Sequence, residues 1–175
     1  MSPGLKEKKM KFNLIFRSIL FMILMPGIGI ILIPYVIIYN SGVFDWPSIS
    51  ISNAFAFVCG LFSMFFLLKC IWEFAVYGKG TLAPIDPPKQ LVVCGLYRYT
   101  RNPMYLAVIG VLLSEAILFG TINILIYGLI GLVFFNIFVI KYEEPKLRAQ
   151  FGQSYIEYCQ SVPRWSIRLK PFYKK

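Results

Sequence analysis

Apolar residues occur in four long blocks separated by polar stretches. The blocks extend over about residues 13–39, 49–76, 104–119 and 122–140. A helix needs about 20 apolar residues to cross the hydrocarbon core of a bilayer, whereas a membrane β-strand needs about 10 that alternate in polarity. Because the blocks are long and do not alternate, the pattern predicts an all-α integral membrane protein with four transmembrane helices.

The third and fourth blocks are separated only by a short turn at Gly120 and Thr121. A connection this short predicts an antiparallel helical hairpin. The third block is shorter than the usual span of about 20 residues. Tilting, local thinning of the bilayer, or a helix start outside the lipid would each accommodate that length.

Composition supports this class. Hydrophobic residues make up 58% of the 175-residue chain, and the mean hydropathy is +0.67. A soluble domain of this size cannot bury so large an apolar fraction.

Basic residues predict the orientation. The eighteen Lys and Arg residues fall within residues 6–17, 69–101 and 141–175, and none falls in 40–48 or in the Gly120 turn. Since Lys and Arg flanking membrane helices are retained in the cytoplasm, we expect a multi-pass protein with a cytoplasmic central loop and both termini cytoplasmic. Topology and attraction to anionic lipid headgroups account for the net charge of +10, so we expect no nucleic-acid partner.

Metal and histidine chemistry are not expected. The chain has no histidine, and its four cysteines form no CxxC motif. Zinc sites and histidine-based acid–base catalysis depend on residues that are missing or badly spaced here.

Two polar clusters flank the hairpin. Residues 95–105 contain two arginines, three tyrosines and an Asn-Pro step, and Glu143-Glu144 follows the fourth block. At ~1.5 Å per residue, the glutamates should project roughly 10 Å further into the cytoplasm than Tyr105. We therefore predict a pocket with aromatic walls, arginines and a carboxylate pair, open to both cytosol and lipid.

The region after the fourth block should lie against the membrane or the central loop. Large apolar residues recur there at helical spacing, which predicts a cytoplasmic C-terminal amphipathic helix: Leu147, Phe151, Tyr155 and Tyr158. Aromatic residues interleaved with basic ones then predict an interfacial anchor: Trp165, Phe172 and Tyr173.

Three ordered motifs resemble those of the isoprenylcysteine carboxyl methyltransferase and phospholipid methyltransferase type of membrane enzyme. They are Gly-x-Tyr-Arg-x-x-Arg-Asn-Pro-x-Tyr at residues 95–105, with the bacterial-type Arg-Asn-Pro-Met-Tyr; the pair Glu143-Glu144; and Phe-Gly-x-x-Tyr-x-x-Tyr-x-x-x-Val-Pro-Arg at 151–164. The resemblance covers roughly residues 78–171. It implies a single domain over residues 1–175, with site segments at 78–105 and 141–171.

The resemblance implies methyl transfer from S-adenosylmethionine to a lipid-like or hydrophobic membrane-associated acceptor at the cytoplasmic interface. The positions matching the family's cofactor-binding set are Lys89, Gln90, Leu91, Val92, Tyr97, Asn102, Pro103, Met104, Tyr105 and Glu143. A tyrosine face attracts a sulfonium by a cation–π contact worth ~0.5–2 kcal/mol. Glu143 would pair with the cofactor's ammonium group.

Catalytic residues are less defined. Methyl transfer proceeds largely by alignment and exclusion of water, and the sequence identifies no general base. Arg98, Arg101 and Glu144 are the candidates. Membrane topology alone also explains the arginines, and a helix-end salt bridge also explains Glu144. Glu115 lies towards the non-cytoplasmic end of the third block, where snorkelling or a structural hydrogen bond is favoured over catalysis.

Two positions depart from the family pattern. Asn102 stands where eukaryotic relatives have histidine, and an amide binds by hydrogen bonds but does not titrate. Val139 stands where the prenylcysteine enzymes have a substrate-binding arginine, which argues against a prenylcysteine carboxylate as substrate. The alternative function is a non-catalytic membrane scaffold or permease that retains the fold.

Overall fold

The computed structural model describes residues 26–42, 49–78 and 90–173, and within these ranges all regular structure is helical. Residues 13–25 of the first predicted span, together with Lys89, lie outside the described residues.

Four helices correspond to the four apolar blocks: α1 (Ile28–Asn40), α2 (Ile51–Gly78), α3 (Pro103–Leu118) and α4 (Ile122–Phe138). The bounds of α2, α3 and α4 fall within two residues of the predicted ones. A 3₁₀ turn, Gly95–Arg98, lies in the central segment, which we define as residues 90–102. The all-helical prediction is confirmed over the described ranges.

Two π-helical segments precede prolines. Ile28–Leu32 opens α1 before Pro34, and Val139–Glu143 follows α4 before Pro145. Proline has no N–H to bond the carbonyl four residues earlier, so the local hydrogen-bond pattern is altered. The second segment continues α4 into α5 (Glu144–Phe151), and the result is one uninterrupted helix, Ile122–Phe151.

The prediction of a single C-terminal amphipathic helix is wrong. Gly152 adopts φ 53° and separates α5 from α6 (Gln153–Ser161). A positive φ is readily adopted by glycine and terminates the helix. The four apolar residues predicted to share one face still pack together, but across this break.

Small residues bring α2 and α3 together. A Cβ atom at Gly60 would lie 3.2 Å from Cβ of Ser114, and one at Gly110 would collide with Ser63. Membrane helices commonly pack through such close small-residue contacts. At its far end, α3 turns into α4 through Gly120 at φ 59°.

Among the described residues, two helices are long and apolar enough to span a bilayer: Ile51–Gly78 and Ile122–Phe151. Only 22% and 17%, respectively, of their most apolar windows are buried in the protein. Ile28–Asn40 and Pro103–Leu118 are apolar but shorter. Exposed apolar surface of this extent is typical of a membrane or protein interaction surface.

The region after Phe151 packs against the central segment. Tyr155, Tyr158 and Val162 are buried together, with Leu91 and Phe172 beside them. This cluster holds the C-terminal residues against the segment that precedes α3.

Candidate functional site

The 3₁₀ turn of the central segment buries Tyr97. Its ring packs with Cys70 and Val92, and its carbonyl accepts a 2.6 Å hydrogen bond from the Tyr158 hydroxyl. Burial raises the pKa of Tyr97, and the charges of Glu143 and Glu73 contribute in the same direction. The phenol therefore stays neutral and lies within electrostatic reach of both carboxylates.

The tail, which we define as residues 162–173, crosses the central segment as an extended strap. Three backbone hydrogen bonds join them: Arg101 N to Pro163 O (2.9 Å), Arg168 N to Tyr99 O (3.0 Å) and Phe172 N to Arg98 O (3.1 Å). These bonds fix the tail above the start of α3.

A buried ion-pair cluster, which we call the tail clamp, reinforces this contact. Glu144 accepts hydrogen bonds from Arg101 Nη1 at 3.0 Å and from Arg164 Nε and Nη2 at 2.6 and 2.9 Å. Arg101 Nη1 also lies 2.8 Å from Cys159 Sγ. The hydrogen bonds to Glu144 raise the pKa of Arg164. The clamp thus connects the central segment, α5 and the tail.

Asn102 contributes to the same connection. Its Nδ2 donates a 3.1 Å hydrogen bond to the Arg164 carbonyl, which also accepts one from Thr100 Oγ1 at 3.2 Å. Asn102 is buried and precedes Pro103, the first residue of α3. Its side chain holds the tail and does not cap the helix.

A second cluster, which we call the aromatic site, lies between α3, α4 and the tail. The Tyr105 hydroxyl donates a 2.7 Å hydrogen bond to Glu143 Oε1, and its ring stacks on Phe135 at 4.5 Å between centroids. The Trp165 ring lies 6.3 Å from that of Tyr105, and its Nε1 donates to Asn136 Oδ1 at 2.8 Å. Two helices and the tail therefore converge on Tyr105.

Side-chain direction explains why Tyr105 reaches Glu143 despite the expected axial offset of roughly 10 Å. Helical side chains lean towards the N-terminus of their own helix. Because α3 and the helix containing Glu143 are antiparallel, the two side chains lean towards each other.

The other predicted cofactor residues lie along the central segment and at the start of α3. Val92 packs beside Tyr97, Leu91 packs against Tyr155, Tyr158 and Val162, and Gln90 is exposed. Pro103 is buried, and Met104 contacts the packing clusters on both sides. Lys89 lies outside the described residues.

Arg98 has its own contacts. Its Nε donates to the Val93 carbonyl at 3.5 Å, and its guanidinium lies 4.8 Å from the centre of the Tyr173 ring. The arginine thereby joins the turn to the end of the tail.

Several contacts were not anticipated from the sequence. Trp165 and Phe172, which were predicted as an interfacial anchor, are half-buried and pack on Tyr105 and Tyr158 respectively, and these two ring contacts were not predicted. The Asn136–Trp165 bond was missed as well. Asn136 is polar within an apolar helix, and such residues often mark a site or a buried contact.

The profile of the phospholipid methyltransferase family matches residues 51–154. The match spans more than half of the 175-residue chain, so the chain belongs to the phospholipid methyltransferase family. Comparisons with curated proteins and with solved structures gave no significant match. Family membership confirms the resemblance drawn from the three motifs. It implies a methyltransferase that acts on a membrane-associated substrate.

Proposed function

We propose that this protein transfers the methyl group of S-adenosylmethionine to a lipid-like or hydrophobic acceptor at the cytoplasmic face of a membrane. The observation that carries the proposal is the 2.7 Å bond between Tyr105 and Glu143. It joins two of the three motifs, and these two lie within the family match although Tyr105 and Glu143 are 38 residues apart in sequence.

The proposed membrane arrangement has four spans and cytoplasmic termini. The apolar surfaces of α2 and α4 support it, and so does the restriction of all eighteen basic residues to segments predicted on one side. In this arrangement α4 leaves the lipid near Phe138, and the glutamates and tail lie in the interfacial region.

The residues of the aromatic site, together with Tyr97 of the 3₁₀ turn, fit the chemistry of the cofactor. Glu143 offers a carboxylate to its ammonium group, and the faces of Tyr97 and Tyr105 suit its sulfonium. The cofactor supplies an activated methyl group. The protein would then act by aligning the acceptor and excluding water.

Arg101 and Glu144 are proposed as positioning residues. Their side chains are about nine-tenths buried and bonded to each other, and the same carboxylate also binds the Arg164 guanidinium. Glu144, bonded at both of its oxygens, would hold the tail over the cofactor through the two arginines without contacting the reacting atoms. The contacts of Arg98 with Val93 and Tyr173 support the same role.

The acceptor would approach along α4. Phe135 and Trp165 provide an apolar wall beside Tyr105, while neighbouring Phe134 and Ile137 are exposed on the outer surface of the helix. A hydrophobic molecule in the lipid would thus reach the aromatic site from the side. Val139 is buried at 2% exposure and offers no charge to a carboxylate acceptor.

Calorimetric titration of the purified protein in detergent with S-adenosylmethionine tests the proposal. Saturable binding, followed by transfer of labelled methyl groups into extracted membrane lipids, is the expected result. Binding without transfer to any lipid fraction would contradict the acceptor class. Absence of binding at millimolar cofactor would favour the scaffold or permease alternative.

A further inference from the structure

Glu73 is a buried carboxylate near the end of α2. The residue is 8% exposed, and its Oε2 has no hydrogen-bond partner among the described residues. Leaving a buried polar atom unpaired costs about 1–3 kcal/mol, and more when the group is charged. An oxygen retained at that cost is suited to accept a bond from a ligand.

Gly95 shapes the space around this carboxylate. It adopts φ 48°, and a Cβ atom built there would collide with both carboxylate oxygens. The 3₁₀ turn therefore approaches Glu73 with bare backbone. The same turn carries Tyr97, whose ring packs with Val92, so Glu73 borders the residues proposed to bind the cofactor.

The charge of Glu73 already has a counter-ion. Lys69 Nζ lies 4.0 Å from Oε1, one helical turn away, and this lysine is half-exposed. A second cation is therefore not required for charge balance. The unpaired Oε2 is better matched by a neutral O–H donor. Glu143 differs, because its neighbour Tyr105 is an uncharged phenol and leaves its charge for a cation.

We propose that Glu73 is a cofactor-contacting residue whose Oε2 accepts a hydrogen bond from a ribose hydroxyl of S-adenosylmethionine. This inference rests on the proposed function. The ribose is preferred over a hydroxyl of the acceptor because Glu73 lies against Gly95, in the turn that also carries Tyr97, whereas the proposed acceptor wall is formed by Phe135 and Trp165.

Affinity measurements with modified ligands test the contact directly. Dissociation constants would be determined by calorimetry for S-adenosylhomocysteine and for its 2′-deoxy and 3′-deoxy analogues. We expect at least one deoxy analogue to bind the unmodified protein about tenfold more weakly, because a hydrogen bond to a charged group is lost. If both analogues bind within twofold of the parent compound, the inference is wrong, whatever the variants do.

Variants then identify the partner. Glu73→Ala should weaken binding of S-adenosylhomocysteine about tenfold, and the sensitive deoxy analogue should lose little more. Glu73→Gln keeps a carbonyl acceptor and should fall in between. If the losses from Glu73→Ala and from the missing hydroxyl simply multiply, another residue binds the ribose and the inference fails.

Glu115→Gln provides the matched control. Glu115 also has a buried oxygen without a partner in the described part of the chain, but it lies ten residues beyond Tyr105, roughly 15 Å along α3. Its substitution should leave every dissociation constant unchanged. Should the unmodified protein fail to bind S-adenosylhomocysteine at all, the proposed function fails together with this inference. A normal affinity in Glu73→Ala removes only the inference.

Discussion

Glu143 and Glu144 are adjacent in sequence but belong to different parts of the molecule. Glu143 accepts a bond from Tyr105 in the aromatic site, whereas Glu144 is enclosed by Arg101 and Arg164 in the tail clamp. Successive helical residues point about 100° apart, so one carboxylate faces α3 and the other faces the tail. Glu143 has a neutral partner, so its negative charge remains available for a ligand. The charge of Glu144 is instead neutralised by its cationic partners.

The largest expected effect breaks the clamp. Glu144→Ala leaves two guanidinium groups close together without their carboxylate, and removing one partner from a buried pair costs about 3–5 kcal/mol. We expect the free energy of unfolding in detergent to fall by that amount in denaturant titrations. Glu157→Ala, at an exposed position on α6, is the control and should change little. Equal stability of the two variants would contradict the clamp.

The next effect concerns the turn beside Glu73. Gly95→Ala combines a positive φ with a collision, for which we expect a cost of about 2–4 kcal/mol in unfolding free energy. Gly120→Ala has a similar φ and open space, so it isolates the conformational part. Adding Glu73→Ala to Gly95→Ala should restore the part of the unfolding free energy that Gly95→Ala loses beyond the loss in Gly120→Ala. No recovery would mean that the carboxylate does not press on this turn.

Tyr105→Phe separates the aromatic site from the clamp. It keeps the stack on Phe135 and removes only the hydroxyl that orients Glu143, so cofactor affinity should fall about tenfold with little loss of stability. The control Tyr127→Phe removes a 3.0 Å bond to the Gly29 carbonyl elsewhere in the fold. Calorimetry that finds the same affinity for both variants would remove Tyr105 from the cofactor site.

The smallest expected effect concerns Trp165. Trp165→Phe retains an aromatic wall but loses the Nε1 bond to Asn136, worth about 0.5–1.5 kcal/mol. We expect a several-fold rise in KM for the methyl acceptor with cofactor affinity unchanged. A change in cofactor affinity without a change in acceptor KM would mean that Trp165 lies beside the cofactor and not beside the acceptor.

Helix positions were largely predictable, because the apolar blocks and the prolines and glycines at their ends act locally. Pro103 begins α3, and Gly120 ends the turn after it, close to the predicted bounds. The break at Gly152 was missed. Apolar spacing continues across it, and a glycine on the polar side of such a pattern does not interrupt the periodicity.

The partners of individual side chains were less predictable. The resemblance assigned Glu143 to the cofactor and left Glu144 as a catalytic or salt-bridge candidate, but the sequence alone did not identify the partners of either carboxylate. Their surroundings depend on how the tail returns over the central segment, which places Arg164 against Glu144 and Trp165 against Tyr105. Long-range contacts of this kind depend on tertiary packing and leave no periodic signal.

The most direct test compares Glu143→Gln with Glu144→Gln in one titration of S-adenosylmethionine, together with their melting temperatures. We predict that Glu143→Gln loses at least about tenfold in cofactor affinity while melting near the unmodified protein. Glu144→Gln should melt at a clearly lower temperature and, where still folded, lose less affinity. If Glu143→Gln binds the cofactor as tightly as the unmodified protein, Glu143 is not part of the cofactor site and the account is contradicted.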